Sequence, residues 1–286
     1  MQQNVCMFYI TCYSYKKLWE PYLKLRDKYF TNKIKLYICV DKMNENDEIK
    51  LFLEKKYENI KFLIFNEVSN IKETGNYFHR YLYYLNNITE DLITYIYDDM
   101  FFCDKVNINN FNELCKLMNN SDEIKMIKLL YYNIPNNISN IFNYNELNFL
   151  KYDNSIDEYI ISGQPHIIKK NILIEISNFC LYNINKQTQY CGPQVFEVYG
   201  TIFFRNKSCI CLTIYNENIF HIYKGGISNS YGIVAHGKIE NDTIEKIKNE
   251  ENIIIKCYKN NFIFKIDNKF LENSSHKYLE IAQQNL

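Results

Sequence analysis

Apolar residues fall in short blocks along the first hundred positions, and stretches with helical spacing separate them. Residues 5–12, Val-Cys-Met-Phe-Tyr-Ile-Thr-Cys, form an almost unbroken apolar run. Such a run suits a strand covered on both faces. Residues 15–29 carry Leu18, Trp19, Tyr22, Leu23 and Leu25 at helical spacing, with Pro21 near the start. Residues 34–41 read as a second strand ending in Asp41, 47–57 as a helix, and 60–65 as a third strand. A helix over 76–87 then leads into the apolar run Leu92-Ile-Thr-Tyr-Ile-Tyr97. Alternating strands and helices predict an α/β layer around a mixed, mostly parallel, Rossmann-type sheet flanked by helices. Right-handed crossovers bring the carboxyl ends of its strands to one edge, where open α/β sheets bind ligands.

The second half is less regular. The pattern predicts a helix at 110–119, a strand at 124–130, an Asn-rich loop at 133–148, a short strand and helix at 165–178, and a turn with a helix or strand at 193–204. Gly225, Gly226, Gly232 and Gly237 mark a flexible segment. A hairpin is expected from 253–258 and 262–266, turned at 259–261. No repeat and no Pro/Ser-rich linker interrupts the chain. The expectation is one domain over 1–286, with a nucleotide-binding half (1–105), an acceptor-binding half (106–240) and a C-terminal hairpin and tail (241–286).

Composition narrows the classes. The 286 residues hold 33 Lys plus Arg against 33 Asp plus Glu. That balance argues against a broad electrostatic grip on nucleic acid or an anionic membrane. No stretch approaches the ~20 apolar residues of a membrane span. The N-terminus lacks a basic stretch and a small-residue cleavage site, so no signal peptide is expected and the localisation read is cytoplasmic. The 10 cysteines include no Cys-x-x-Cys pair; they stand singly in apolar runs apart from Cys209 and Cys211. Reduced thiols are expected, and a structural zinc site is not. Asn, Ile, Lys and Tyr are used heavily, as an AT-rich coding sequence would dictate, so a single Tyr or Asn carries little weight.

Several residues at the expected sheet edge invite chemistry. Thr11 and Tyr13 stand at the carboxyl end of the first strand. Asp41 follows the second, where it could bond a ribose hydroxyl or a base edge, or cap a helix. Asp98 and Asp99 end the fourth strand; they could hold Mg²⁺ or Mn²⁺ against a diphosphate, or simply be a solvated strand end. Arg80 could fork onto a phosphate or lie on a solvated helix face. Glu197, among apolar neighbours in Gly192-Pro-Gln-Val-Phe-Glu-Val-Tyr199, suits a general base, or faces water from an amphipathic helix. His236 and Lys238 lie in a glycine-containing stretch able to fold over a diphosphate, or to be an ordinary loop. The other histidines read as structural. No Gly-x-Gly-x-x-Gly, Walker A or Gly-x-Ser-x-Gly pattern occurs, which counts against dinucleotide oxidoreductases, P-loop enzymes and serine hydrolases.

From Asp98-Asp99-Met100-Phe101-Phe102 the chain resembles nucleotide-sugar glycosyltransferases of the GT-A fold, in a family with an "E-D-x-F-hydrophobic" segment. Four further segments follow that family's order. Tyr77-Phe-His-Arg-Tyr-Leu82 stands for "W-S-D-R-L", Gln164-Pro-His-Ile-Ile-Lys169 for "Q-P-A-I-W-K", Pro193-Gln-Val-Phe-Glu197 for "P-W-E-F-E", and His236-Gly-Lys238 for "R-G-K". The resemblance covers about residues 5–240. It departs from the family at Met100, where a full Asp-x-Asp would have an acid, at His79 in place of an acid, and at His236 in place of an arginine.

The resemblance implies a GT-A-like fold and transfer of a sugar from a nucleoside-diphosphate sugar to a hydroxyl of a glycan, glycolipid or glycoprotein. Asp99 would hold the divalent cation (Mn²⁺ or Mg²⁺), while Thr11, Tyr13, Asp41, Arg80, Asp98, His236 and Lys238 would contact the donor. Glu197 would take the acceptor's proton in an inverting displacement. A retaining reaction would need no such base. The alternatives are a catalytically silent nucleotide-sugar-binding module and a sugar nucleotidyltransferase. The latter usually has a Gly-rich, basic stretch after the first strand, where this chain reads Thr11-Cys-Tyr-Ser-Tyr-Lys-Lys17.

Overall fold

A computed structural model describes residues 4–66, 73–98, 100–131, 141–157, 160–184 and 192–222, with Pro135 and residues 234–235 and 238–239. Among them, six α-helices flank a mixed nine-stranded sheet with a parallel core, a Rossmann-like α/β fold. The strands are β1 (Val5–Thr11), β2 (Lys35–Asp41), β3 (Ile60–Phe65), β4 (Leu92–Tyr97), β5 (Ile124–Lys128), β6 (Ile141–Tyr144), β7 (Leu147–Lys151), β8 (His166–Lys169) and β9 (Ile210–Ile214). Their spatial order is β3-β2-β1-β4-β8-β5-β9-β7-β6. The first four are mutually parallel. β8 enters antiparallel between β4 and β5, and β9 returns parallel to β5. The amino end of β8 therefore shares an edge with the carboxyl ends of β1, β2, β4, β5 and β9.

Apolar alternation decides which helix covers which face. On β1, Val5, Met7 and Tyr9 enter one core with Trp19 and Tyr22 of α1 (Lys16–Tyr29) and Phe111 of α4 (Ile108–Asn120). Cys6 and Phe8 enter the other, with Phe78 and Tyr81 of α3 (Glu73–Asn86), Ile172 of α5 (Lys170–Ile184) and Phe196 of α6 (Gly192–Arg205). Helix α2 (Glu48–Lys56) starts at Asp47, whose carboxylate accepts from the Ile49 N–H at 3.0 Å and so satisfies one open amide of the first turn.

The early elements match the pattern closely: 60–65 and 92–97 are strands to the residue. The second half departs from it. The stretch expected as an Asn-rich loop, 133–148, holds β6 and the start of β7, a hairpin turned at Asn145 with φ 53°. Asn tolerates that left-handed backbone, and β6 is a largely exposed edge strand with no apolar run to announce it. Residues 193–204 are wholly helical, and β9 has no counterpart in the expected elements. Val234–Ala235 pairs with Lys238–Ile239 as a two-stranded ribbon, β10 and β11. The expected tail hairpin and the four marked glycines lie outside the described residues. No described helix is long and apolar enough to cross a membrane.

Candidate functional site

The carboxyl edge of β1, β2 and β4 holds a connected polar group. The Tyr13 N–H donates to Asp41 Oδ1 at 3.0 Å, and Arg80 Nη1 reaches Asp41 Oδ2 at 3.0 Å. Asp41 thus ties the loop after β1 to helix α3. The Tyr13 hydroxyl donates to Asp47 Oδ2 at 2.6 Å and receives Lys16 Nζ at 2.7 Å. Trp19 Nε1 donates to Thr11 Oγ1 at 2.9 Å. The Thr11 hydroxyl and the Cys12 N–H both favour the charged form of the Asp98 carboxyl. Burial nonetheless pushes Asp98 up to about 7, with Asp41 adding in the same direction. Five of the expected donor-binding residues, Thr11, Tyr13, Asp41, Arg80 and Asp98, are therefore brought together.

Glu197 arrives from the opposite side of β4. It sits on α6, half-buried, and its Oε1 accepts the Gly163 N–H at 2.7 Å. Burial raises its pKa; the Gly163 bond and the Lys128 charge act against that rise. Gly163 lies under the ring of Tyr97, the last residue of β4 and the neighbour of Asp98: a Cβ there would stand 2.8 Å from Tyr97 Cε2. Tyr97, the residue before Asp98, and Glu197 therefore both crowd Gly163. The Tyr77 hydroxyl lies 3.2 Å from that of Tyr97 and 2.6 Å from that of Tyr81, and Tyr81 bonds on to Tyr95. The Arg80 guanidinium stacks 5.9 Å over the Tyr77 ring, which links the two sides. Gly192, the first residue of α6, accommodates that ring: a Cβ there would stand 2.2 Å from Tyr77 Cγ.

Sequence reasoning does not reach Gly163, Lys128 or the four tyrosine hydroxyls. Lys128 carries a signal, a cation at the end of the apolar strand Ile124–Lys128; in the structure it is fully buried, and burial drives it down to about 7. His166, read as structural, stacks on Tyr95 at 4.8 Å and is driven by burial down to about 4, hence neutral at ordinary pH. Around Glu197 several buried atoms lack a partner among the described residues: Ser162 Oγ, Gln164 Oε1, His166 Nε2 and Gln194 Oε1. Such atoms are costly unless water or a ligand satisfies them.

Asp99 and His236 lie outside the described residues. Lys238 is described as part of β11, paired with Ala235. Among the described residues no three His, Cys, Asp or Glu side chains cluster to hold a metal ion. Asp98 alone is a poor cation ligand, since burial favours its neutral form. A hollow of about 850 Å³ opens at the amino edge of the sheet, near Asn4, Lys33, Lys35, Asn59 and Glu90. It lies at the wrong end of the strands for this fold's usual chemistry.

Fold and site define a Rossmann-like α/β domain whose ligand edge carries two separate carboxylate centres. No family model and no curated protein matches the chain.

Proposed function

We propose that this chain is an inverting glycosyltransferase that uses a nucleoside-diphosphate sugar, with Glu197 as general base. One observation carries the reading: Glu197 is half-buried and held by the Gly163 N–H, and Gly163 lies against Tyr97, the residue before Asp98 at the carboxyl edge where Asp41 holds Arg80. An acid with a raised pKa is a better proton acceptor than a free carboxylate, which is what an attacking hydroxyl requires. Arg80 would meet the diphosphate, with Asp41 orienting it and Tyr13 beside it. The buried polar atoms of Ser162, Gln164 and Gln194, which lack a partner among the described residues, would suit a ligand rich in hydroxyl groups.

The resemblance to GT-A glycosyltransferases further assigns Asp99 to a divalent cation, which would stabilise charge on the leaving diphosphate. His236 and Lys238 would close over that diphosphate. A glycan, glycolipid or glycoprotein would present the acceptor hydroxyl.

Thermal shift against UDP, GDP, CDP and TDP sugars, with and without Mn²⁺, identifies the donor. Glu197→Gln should then cut transfer by ~10²-fold or more while donor binding persists. Unchanged transfer would remove Glu197 from the mechanism. Donor binding without any hydrolysis by the unaltered chain would mark a catalytically silent binding module instead.

A further inference from the structure

Tyr77 and Arg80 stand three residues apart on α3, so their side chains share one face of the helix. The Arg80 guanidinium lies 5.9 Å over the Tyr77 ring, within cation–π range, and Arg80 Nη1 reaches Asp41 Oδ2 at 3.0 Å. The same ring packs against the start of α6: a Cβ on Gly192 would come within 2.7 Å of Tyr77 Cβ, Cγ and Cδ2. The Tyr77 hydroxyl lies 3.2 Å from that of Tyr97. One buried side chain therefore touches the Arg80–Asp41 pair, the helix that carries Glu197, and the ring that crowds Gly163.

We propose that Tyr77 is a positioning residue with two separable parts: its ring sets Arg80, and its hydroxyl, through Tyr97, sets Glu197. This rests on the reading of Arg80 as the phosphate contact and Glu197 as the general base. The contacts close a loop. From Tyr77 one route runs through Gly192 and along α6 to Glu197. The other runs through the Tyr97 hydroxyl, the Tyr97 ring against Gly163, and the Gly163 N–H bonded to Glu197 Oε1 at 2.7 Å. The first route fixes the backbone of Glu197 and the second fixes its carboxylate oxygen.

Close packing decides what each part does. A Cβ on Gly163 would meet Tyr97 Cε2 at 2.8 Å, so the Tyr97 ring and the Gly163 backbone have no slack between them. Without the Tyr77 hydroxyl the Tyr97 ring loses a tether, and any resettling of that ring shifts the N–H that aims Glu197. Tyr81, the other partner of the Tyr77 hydroxyl at 2.6 Å, keeps Tyr95. Misplacing a proton acceptor by a fraction of an ångström costs rate and leaves donor binding intact. Removing the ring as well withdraws the support under Arg80 and loosens its hold on a diphosphate.

The full chain is assayed for hydrolysis of UDP, GDP, CDP and TDP sugars, a transfer to water that needs no other acceptor, and each variant is first checked for folding by thermal unfolding. Tyr77→Phe keeps the ring and removes the hydroxyl; it should lower kcat ~10-fold at unchanged donor KM. Tyr97→Phe breaks the same contact from the other side and should match it, and the double variant should be no slower than either single one. Tyr77→Leu, which removes the ring too, should add a several-fold rise in donor KM. A purely structural tyrosine would lower the melting temperature without this split between kcat and KM. Hydrolysis by Tyr77→Phe at the unaltered rate, a donor KM that rises in Tyr77→Phe, or single losses that multiply in the double variant would overturn the positioning role and leave Glu197 as the base. Absence of hydrolysis of all four donors by the unaltered chain would overturn the glycosyltransferase reading, and the positioning role with it.

Discussion

Gly163 gives its backbone N–H to Glu197 Oε1 at 2.7 Å and leaves no space for a side chain of its own. A Cβ at this position would meet Tyr97 Cε2 at 2.8 Å and the same Glu197 oxygen at 3.4 Å. Both neighbours are held in place, Tyr97 by the Tyr77 hydroxyl and Glu197 by its helix. Gly163→Ala should therefore lower stability by about 1–3 kcal/mol, the usual range for overpacking, and tilt the Glu197 carboxyl away from its donor. Urea unfolding checks the first effect. A crystal structure of the variant checks the second: a hydrogen bond to Glu197 Oε1 that keeps its original length despite the added methyl would refute it.

Much of this arrangement was legible in the sequence, and the parts that were not share a physical reason. Strands β1 to β4 announced themselves because both faces are buried, so each is a nearly continuous apolar run; β6 is exposed on one edge and gave no such signal. Asp41, Asp98 and Glu197 stood out as carboxylates beside apolar runs. Gly163 did not, since its value lies in a missing Cβ that only the approach of Tyr97 makes necessary. The tyrosine hydroxyls were hidden by abundance: with 26 Tyr in the chain, spacing alone could not single out four that meet.

Arg80 and Asp41 are paired at 3.0 Å with side chains only 22% and 25% exposed. A charged hydrogen bond so sheltered from solvent contributes more than a surface pair. Arg80→Met should cost about 1–2 kcal/mol in urea unfolding. Lys33→Met breaks a pair with Glu58 whose partners are 78% and 79% exposed, and should change stability little. Equal losses in the two variants would show that burial of the Arg80 pair confers no advantage.

Tyr81 occupies the middle of the hydroxyl chain, bonded to Tyr77 at 2.6 Å and to Tyr95 on its other side. All three rings are buried, so deleting the central oxygen takes a partner from both Tyr95 and Tyr77, of which Tyr77 keeps the Tyr97 hydroxyl. Tyr81→Phe should cost about 1–3 kcal/mol, whereas Tyr83→Phe, on a 40% exposed ring, should be near neutral. Thermal unfolding of the two variants side by side decides it; a Tyr81→Phe protein as stable as the Tyr83→Phe protein would mean the chain of hydroxyls is dispensable.

Lys128 sets a pH dependence of defined sign. Burial drives its pKa from 10.5 down to about 7, while Glu197 on α6, Cys211 on β9 and Asp157 pull it back up. Its ammonium also lies 4.7 Å over the Tyr152 ring, and it stands opposite neutral His166 in the β5–β8 register. Between about pH 7 and 10.5 the unfolded chain keeps the Lys128 proton and the folded chain has released it. Stability must therefore gain from this residue as pH rises through that window, and lose that gain progressively as pH falls from about 10.5 to about 7. Buried tyrosines and thiols titrate at the alkaline end in the opposite sense, so the comparison is with Lys128→Met, which retains them. The difference in unfolding free energy between the two proteins should shift in favour of the unaltered chain as pH rises from about 7 to about 10. Glu197→Gln, which withdraws the attraction that favours the ammonium, should move the onset of that shift to lower pH. Parallel stability profiles for the unaltered chain and Lys128→Met across the whole window would show that Lys128 keeps its proton in the folded state.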